Sequence, residues 1–437
     1  MQQLGQNGAD VPRVMLLMKA STYRAPDFMA AAQRLGIEVV KVVDAPEALA
    51  QQQDDLLAVP FADLEAATET LIDFAEKRPL RAILAVDDSG AMLAARASAA
   101  LGLPHNAPEA AEAARDKYRM RAFMARAGLP VPRFRRFNTA DDPWQVAQDV
   151  SYPCVVKPLR LSGSQGVMRA DDPQALVAAI GRLRHLLDGL YGSTEPNPYL
   201  VEDYIPGVEV ALEGMLDQGR LHVLALFDKP DPLEGPFFEE TIYVTPSRLP
   251  LQTQKAIAQA TAQAARALGL RRGPVHAELR VNEEGPWLLE IAGRSIGGLC
   301  ARTLRFGVDT SLETLILRQA AGMDLGDMGR EPLARGVMMI PIPGEGLLKA
   351  YHGVEEAQAV TGVSDVEITT PLNNILKPLP EGDSYLGFIF ARGETLHQVE
   401  AALRQAHEKL RFEIEPVMML TQSLTSNLQS HFFRGAP

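Results

Sequence analysis

The chain has 437 residues, of which 46% are hydrophobic and 22% are charged, a composition typical of globular proteins. At roughly 150 residues per domain, this length predicts about three domains. The formal net charge of −12 argues against nucleic acid or an anionic membrane as a partner. The two cysteines, Cys154 and Cys300, are too few for a disulfide framework or a cysteine-rich zinc site.

The sequence also favours a cytoplasmic setting. Free thiols in an apolar context fit a reducing compartment. No apolar run reaches the roughly 18 residues that a membrane helix needs. The polar first ten residues do not have the pattern of a secretory signal peptide. We therefore expect a cytoplasmic protein without a membrane partner.

The elements in chain order predict three blocks and a tail. Strand-like runs at 14–18, 37–43 and 83–86 alternate with helical segments, which predicts a parallel sheet. Asp87 and Asp88 follow the third strand, where they either hold a substrate amino group or cap the next helix. The block after residue 330 has strand signals at 337–340, 363–369 and 388–391, and a helix from Leu396 to Leu410. The predicted blocks are 11–105, 106–329 and 330–420, and the tail is 421–437.

Several common catalytic motifs are missing from the sequence. Walker A, GxGxxG, HExxH and CxxC patterns do not occur. One GxSxG match, residues 293–297, follows a predicted strand and leaves a serine hydrolase as one interpretation. Such an enzyme needs a downstream histidine, and His352, His397 and His407 are available.

Residues 275–292 predict a β-hairpin with two facing carboxylates. With a three-residue turn at 283–285, Val281 faces Trp287, Leu279 faces Leu289 and Ala277 faces Ile291, so all six share one apolar face. Glu278 then lies opposite Glu290 on the other face. Two like charges in this position repel, so Mg²⁺ is a natural ion to bind between them. The alternative is a polar face that is open to water.

Two further segments contain candidate binding residues. Lys157 ends an apolar strand and precedes the small-residue loop 161–167, whose backbone N–H groups could hold phosphate. A lysine at a strand edge before a hairpin loop is an equal alternative. Residues 199–210 have an acidic pair at the end of a strand, a Pro-Gly turn and a second strand that begins with an acid. Taken alone, this segment favours a hairpin with acidic edges.

The order of these segments resembles the ATP-grasp superfamily. Lys117, Lys157, the small-residue loop, the acidic segment 202–209 and the two facing glutamates follow one another as in those enzymes. The stretch 290–298 is most similar to the L-amino-acid ligases, a carboxylate–amine ligase family. The resemblance implies an N-terminal parallel-sheet (pre-ATP-grasp) domain, a central ATP-grasp domain with a lid at about 150–205, and a C-terminal α+β domain.

The same resemblance implies roles for individual residues. The reaction would join a carboxylate and an amine, with amino acids as the expected class of substrate, and would use ATP and Mg²⁺ or Mn²⁺. A homodimer is expected. ATP-binding residues would be Lys117, Lys157, Ser162, Gly163, Ser164, Gly166, Glu202, Asp203, Tyr204, Ile205 and Glu209; metal ligands Glu278 and Glu290; catalytic residues Lys157, Arg294, Gly297 and Gly298; and substrate-binding residues Asp88, Glu240, Tyr243, His276 and Arg294.

Two positions depart from the family pattern. Ala292 stands where many ATP-grasp enzymes have asparagine, so the second metal ion has a thinner shell unless His276 or water substitutes. Tyr243 stands where many amino-acid ligases have histidine, which implies a different substrate. Two alternatives remain: an ATP-grasp carboxylating or formylating enzyme of purine-type metabolism, and a degenerate ATP-binding regulatory protein.

Overall fold

A computed structural model describes residues 11–20, 22–45 and 56–416 of the chain. The predicted tail 421–437 and the polar N-terminal ten residues lie outside these ranges. Within them, no helix is both long enough and apolar enough to cross a membrane.

The N-terminal block is a parallel sheet, as the alternating pattern predicts. Its four strands have the order β3-β2-β1-β4 and all pair in parallel. The helical segment between the first two strands spans Ala25–Leu35, and Gly36 ends it in the left-handed conformation. Strand β3 was not predicted. The elements are β1 Arg13–Lys19, α1 Ala25–Leu35, β2 Glu38–Asp44, β3 Leu56–Val59, α2 Leu64–Lys77, β4 Ala82–Ala85 and α3 Ala91–Ala100.

A small antiparallel sheet follows after two helices. Its strand order is β5-β8-β6-β7, and α7 packs against it through a core that includes Leu176, Ile180 and Leu183. It contains the segment predicted as a lid, and its first strand lies earlier in the chain. The elements are α4 Pro108–Arg115, α5 Lys117–Arg126, β5 Phe134–Asn138, α6 Pro143–Gln148, β6 Cys154–Pro158, β7 Met168–Ala170, α7 Pro173–Tyr191 and β8 Pro198–Asp203.

The largest element is a sheet of eight strands with the order β13-β12-β9-β10-β11-β14-β18-β16. One face packs on α4, α5 and α8, and the other packs on α1, α9 and the N-terminal sheet. Through β11 and β14 the sheet continues across residue 330, where the sequence predicts a new block. Its elements up to that point are β9 Val208–Asp217, β10 Arg220–Asp228, β11 Ile242–Thr245, α8 Leu251–Leu268, β12 Gly273–Asn282, β13 Gly285–Ala292 and α9 Leu312–Ala321.

The C-terminal residues complete the large sheet and add a three-stranded one, β17-β15-β19. Helix α11 begins with a capping box at Thr395 and packs on β14 and β18 through Val399 and Leu403. The sequence predicted this helix and three of the strands, and missed the small sheet. The elements are β14 Ala334–Ile340, β15 Gly346–His352, α10 Val354–Gln358, β16 Val363–Ile368, β17 Ile375–Leu376, β18 Gly387–Gly393, α11 Leu396–His407 and β19 Arg411–Glu415.

The chain passes from the small sheet to the large sheet through a tight connection that ends at Gly207. A Cβ atom at Gly207 would lie 2.4 Å from the carbonyl oxygen of Val281, and the φ of this residue is +125°. Gly219 is a matched control, because its φ is +85° and no heavy atom lies within 4 Å of the equivalent Cβ position. Gly219→Ala should lower the free energy of unfolding only by the cost of the positive φ, about 1–2 kcal/mol.

We expect Gly207→Ala to lower the free energy of unfolding by clearly more than Gly219→Ala does, because backbone must also move. Chemical denaturation of the two variants measures the difference. Equal losses would contradict the close approach of the two chain segments.

Candidate active site

The site lies in a cleft between the small and the large sheet. The interpretation of 199–210 as a hairpin is wrong: β8 pairs with β5 and β6, whereas β9 pairs with β10 and β12. The backbone between them therefore forms the back of the cleft. Of the predicted site residues, the cleft is lined by Lys117, Lys157, Ser162, Gly163, Ser164, Glu202, Asp203, Tyr204, Ile205, Glu209, Glu240, His276, Glu278, Glu290 and Arg294.

The structure places the other predicted site residues around this lining. Asp88 pairs with Arg294 and faces the neighbouring cavity. Tyr243 is buried beneath the cleft, with its ring centroid 4.9 Å from the Lys229 ammonium. Gly298 lies close to the Phe388 ring, and Gly166 donates a backbone hydrogen bond to the C-terminal block. Gly297 follows Ile296 in the loop after β13.

The facing pair of the hairpin is confirmed, but the predicted register near its turn is wrong. Glu278 pairs with Glu290 and Ala277 with Ile291, as predicted. Beyond Glu278 the register shifts, so Leu279 faces Leu288, Arg280 faces Trp287 and Val281 faces Pro286. The cause is a bulge at Leu289 on β13, which shortens the turn to residues 283–284. The carbonyl of Leu289 accepts a 2.9 Å hydrogen bond from Arg121.

Lys229 is a buried lysine that was not predicted from the sequence, and its ammonium group lies among three carboxylates. The Lys229 ammonium lies 2.7 Å from Glu209, contacts Glu240 and lies 3.5 Å from Glu278. Burial alone would lower the pKa of Lys229, but these three carboxylates raise it well above its usual value. Lys229 precedes Pro230 at the end of β10, as Lys157 precedes Pro158 at the end of β6, and this repeated signal could have identified it.

The same carboxylates repel one another. Oxygen atoms of Glu209, Glu240 and Glu278 lie within 4.8 Å of one another, a spacing that a metal ion could occupy. Burial and the charge of Glu278 raise the pKa of Glu240 to about 7. Glu209 also accepts a 3.0 Å hydrogen bond from Arg280, so its two oxygens each have a cation as partner.

A second buried network holds Lys157. The guanidinium of Arg121 binds both oxygens of Glu202 at 2.8 and 3.0 Å, and Lys157 contacts the same carboxylate. Burial would raise the pKa of Glu202, but the two cations lower it to about 2. Sequence reasoning missed Arg121, which is fully buried on α5. The network fixes Lys157 at the cleft, where Lys117 also lies, 3.2 Å from Glu290.

The loop after β13 holds an arginine that faces the cleft. The Nε and NH2 groups of Arg294 donate to Asp88 at 2.9 and 2.8 Å, so Asp88 does not cap the next helix. Asp87 does not cap α3 either: it accepts from the N–H of Ser89 at 2.9 Å and so caps the short 3₁₀ turn Asp88–Gly90, whereas the N-cap of α3 is Gly90. The Ser295 hydroxyl is buried and bonded to Arg24 at 2.6 Å. A guanidinium does not deprotonate a serine, so the hydrolase interpretation fails.

Three family models match consecutive parts of the chain. Residues 29–105 match an ATP-grasp N-terminal domain, residues 150–303 an ATP-grasp domain, and residues 338–415 the L-amino acid ligase C-terminal domain 2. These matches show that the chain contains ATP-grasp domains. The fold and the resemblance predicted from the sequence are thereby confirmed.

Individual relatives agree with this placement. The chain is 28% identical over 290 residues to alanine–anticapsin ligase of Bacillus amyloliquefaciens, covering 61% of each chain. It is 30% identical over 218 residues to a D-alanine–D-alanine ligase of Aromatoleum aromaticum, covering 47% of this chain and 66% of that one. An L-amino acid ligase structure from Bacillus licheniformis matches with a TM-score of 0.77 and 26% identity over 92% of this chain and 99% of that one. The chain spans 61 to 64% of the length of two curated relatives.

His276, which pairs with Ala292 across the hairpin, lies between two carboxylates. Its two ring nitrogens lie 3.1 Å from Glu213 and 3.4 Å from Glu278. Burial lowers the pKa of His276, but the hydrogen bonds to these carboxylates raise it to about 9. A role for His276 as a metal ligand stays a prediction. Glu213, which is fully buried and was missed, also accepts from the N–H of Ile296 and so fixes the loop after β13.

Breaking the Arg121–Glu202 pair leaves a buried carboxylate with only Lys157 as partner. We expect Arg121→Met to lower the free energy of unfolding by about 3–5 kcal/mol. Arg126→Met, at the exposed end of the same helix, is the control and should change it little. Chemical denaturation measures both, and equal stabilities would show that the buried pair does not hold α5 to the small sheet.

The small-residue loop touches the C-terminal block of this ATP-grasp chain. The N–H of Gly166 donates to Pro380 at 2.8 Å, and the Gln165 side chain donates to the Glu381 carbonyl at 2.7 Å. Nearby, Arg182 on α7 forms a two-point ion pair with the Glu381 carboxylate. The segment 380–381 therefore holds the loop and α7 together.

Glu381→Ala should free the loop modestly, because exposed ion pairs contribute about 0.2–1 kcal/mol. We expect amide hydrogen exchange in residues 162–167 to become up to about fivefold faster, as read by mass spectrometry. Glu356→Ala, an exposed glutamate on α10, should leave these peptides unchanged. Unchanged exchange in Glu381→Ala would mean that the ion pair does not restrain the loop.

Proposed function

We propose that this chain is an ATP-dependent ligase that joins a carboxylate to an amine and forms ADP and phosphate. The observation that carries the proposal is the meeting of Lys117, Lys157 and Arg294 with the facing pair Glu278 and Glu290 in one cleft. Several cationic side chains in one cleft can neutralise the oxygens of a polyphosphate, and two facing carboxylates can bind the metal ion that accompanies it.

ATP would bind between the two sheets. Lys117 and Lys157 would contact the phosphates, and the loop 162–166 would cover them. The backbone of Tyr204 and Ile205 at the back of the cleft would receive the adenine, and Glu209 would lie near the ribose. The ion pairs of Glu202 support a further role for it, which is to orient Lys157.

The residues present fit a divalent cation of the Mg²⁺ or Mn²⁺ type. Both ions prefer oxygen ligands, and Glu278 and Glu290 would hold one. Bound there, the metal would neutralise charge on the transferred phosphoryl group. Lys229 lies 3.5 Å from Glu278 and neutralises part of the same carboxylate cluster.

The reaction would take place in two steps. A carboxylate oxygen of the first substrate attacks the γ-phosphorus of ATP, the bond from that phosphorus to the β–γ bridging oxygen breaks, and ADP leaves. The nitrogen of the amine then attacks the acyl carbon, phosphate leaves and the nitrogen loses a proton. Lys117 and Lys157 would stabilise charge in the first step, and Arg294 with the backbone of Gly297 and Gly298 would hold the oxyanion in the second. A closed loop keeps water from the acyl phosphate.

Amino acids are the substrate class that the relatives favour. The C-terminal block matches an L-amino acid ligase domain, and the alanine–anticapsin ligase named above joins alanine to another compound. A carboxylating enzyme of purine-type metabolism is the alternative, but structures of that kind share at most 19% identity with the chain and support only the fold. Asp88, Glu240, Tyr243 and His276 would lie near the substrates. A cytoplasmic homodimer stays a prediction.

The reaction class is tested by incubating the protein with ATP and each pair of amino acids and measuring the phosphate released. The ligase proposal expects release that needs ATP, a divalent metal and two amino acids together, and an amide product by mass spectrometry. Release that depends on bicarbonate instead would favour the carboxylating alternative. No release with any acid or amine would favour a regulatory protein.

The metal assignment has its own test in Glu290→Gln. Removing this charge should lower turnover by about 10- to 100-fold or more and raise the Mg²⁺ concentration needed for half-maximal rate. Glu284→Gln, an exposed residue in the turn of the same hairpin, is the control. Intact turnover in Glu290→Gln would show that Glu290 is not a metal ligand.

A further inference from the structure

A second cavity lies behind Arg294, between the N-terminal sheet and the large sheet. Ala292 and Arg294 line both this cavity and the cleft, so the two spaces adjoin at the proposed reaction centre. Its walls include several alanines of α3 and α4 and the start of β12. A molecule that reacts at Arg294 can therefore extend its far end into this cavity.

The cavity is positively charged although the whole chain carries a net charge of −12. Its charged lining residues are Arg115, Arg272 and Arg294, against the single carboxylate of Asp88. Asp88 and Arg294 form an ion pair with each other. The charges of Arg115 and Arg272 are therefore not balanced by any other carboxylate in the lining.

These two arginines also have no ion pair elsewhere in the part of the chain that the structure describes. Among the described residues, the guanidinium of Arg272 donates only to the carbonyl of Gln319, at 3.1 Å. The Nε atom of Arg115 is buried and has no hydrogen-bond partner among the described residues. In the same lining, the Ser98 hydroxyl is also buried and unpartnered, with 1% of the residue exposed. Buried donors without acceptors are costly, so such a group of donors favours an anionic acceptor from outside the chain.

We propose that this cavity binds the side-chain carboxylate of one of the two substrates, a group distinct from the reacting groups and from the α-carboxylate of the amine. The inference rests on the proposed ligase function and specifies its substrate class as a dicarboxylic amino acid. The planar fork of a guanidinium matches a carboxylate with two hydrogen bonds, and Arg115 and Arg272 offer such forks. The small alanine side chains leave room for the short chain that joins the two acid groups.

The test compares each acid with its amide, which has nearly the same shape and no charge. L-glutamate and L-glutamine, and L-aspartate and L-asparagine, are each offered with ATP, Mg²⁺ and every common amino acid as partner. We expect the acid to give at least about tenfold higher kcat/KM than its amide, since a site built for a polar group rejects an analogue that cannot pair with it. Equal or higher efficiency with the amides would overturn the proposal.

Variants identify the residues that cause the preference. In Arg115→Gln and in Arg272→Gln, the ratio of acid to amide efficiency should fall about 10-fold or more towards one. Arg96→Gln, an exposed position on α3 outside the cavity, is the control and should keep the wild-type ratio. Melting temperatures verify that each variant is folded. A preference for acids that survives both cavity variants would place the anion site elsewhere.

A binding measurement without turnover separates this proposal from the proposed function. Glutarate, a dicarboxylate without an amine, should raise the melting temperature of the wild-type chain and of Arg96→Gln, but not that of Arg115→Gln. Glutarate could still raise the melting temperatures in this pattern when no amino-acid pair gives phosphate release. That result would contradict the ligase proposal and support the anion site. If glutarate raises the melting temperature of none of the three proteins, or of all three equally, the proposed anion site is contradicted.

Discussion

Charge repulsion in the cleft is the constraint on which the rest of the site depends. Carboxylate oxygens of Glu209, Glu240 and Glu278 lie within 4.8 Å of one another, in a sheet where water cannot screen them well. Lys229 contacts all three and Arg280 binds Glu209, so buried cations offset the repulsion. The pKa of Glu240, raised to about 7 by burial and by its acidic neighbours, shows that the balance is incomplete. A divalent cation would complete it.

The same principle operates on the opposite wall of the cleft. There Glu202 is the buried acid, and Arg121 and Lys157 surround it. Each of these networks joins elements that are far apart in the sequence: Arg121 on α5 contacts β8 and the bulge of β13, and Lys229 links β9 with the hairpin. The charges therefore position the side chains of the cleft and also fix the two sheets relative to each other. An acidic protein can in this way present a cationic surface where a small anion binds.

Local patterns in the sequence predicted the parts of the site that depend on local chemistry. Alternating apolar residues placed Glu278 opposite Glu290, because a strand pair has a period of two and one face must be buried. The same reasoning erred at the turn, since a bulge adds one residue and leaves no trace in the alternation. It also joined β8 and β9 into a hairpin. A short turn between two strands does not reveal that each has a better partner in a different sheet.

The residues that the sequence did not reveal are those with distant partners. Arg121 and Glu202 are 81 positions apart, and His276 and Glu213 are 63 apart, so no spacing rule connects them. For Glu213 the available signal was a charged residue within an apolar segment, whereas Arg121 lies on a helix with several other basic residues and had no such signal. The unbalanced arginines of the second cavity likewise became visible only when α4, β12 and α3 were placed together. Resemblance to a family supplied the order of the motifs, and the structure supplied their partners.

Transfer of labelled oxygen tests the central claim most directly. If the first substrate carries ¹⁸O in its reacting carboxylate, attack of that carboxylate on ATP transfers one labelled oxygen to the phosphate released for each amide formed. Mass spectrometry of the phosphate should then show one ¹⁸O atom for each amide. Unlabelled phosphate, released at the same rate as the amide, would show that the carboxylate is never phosphorylated and would contradict the account.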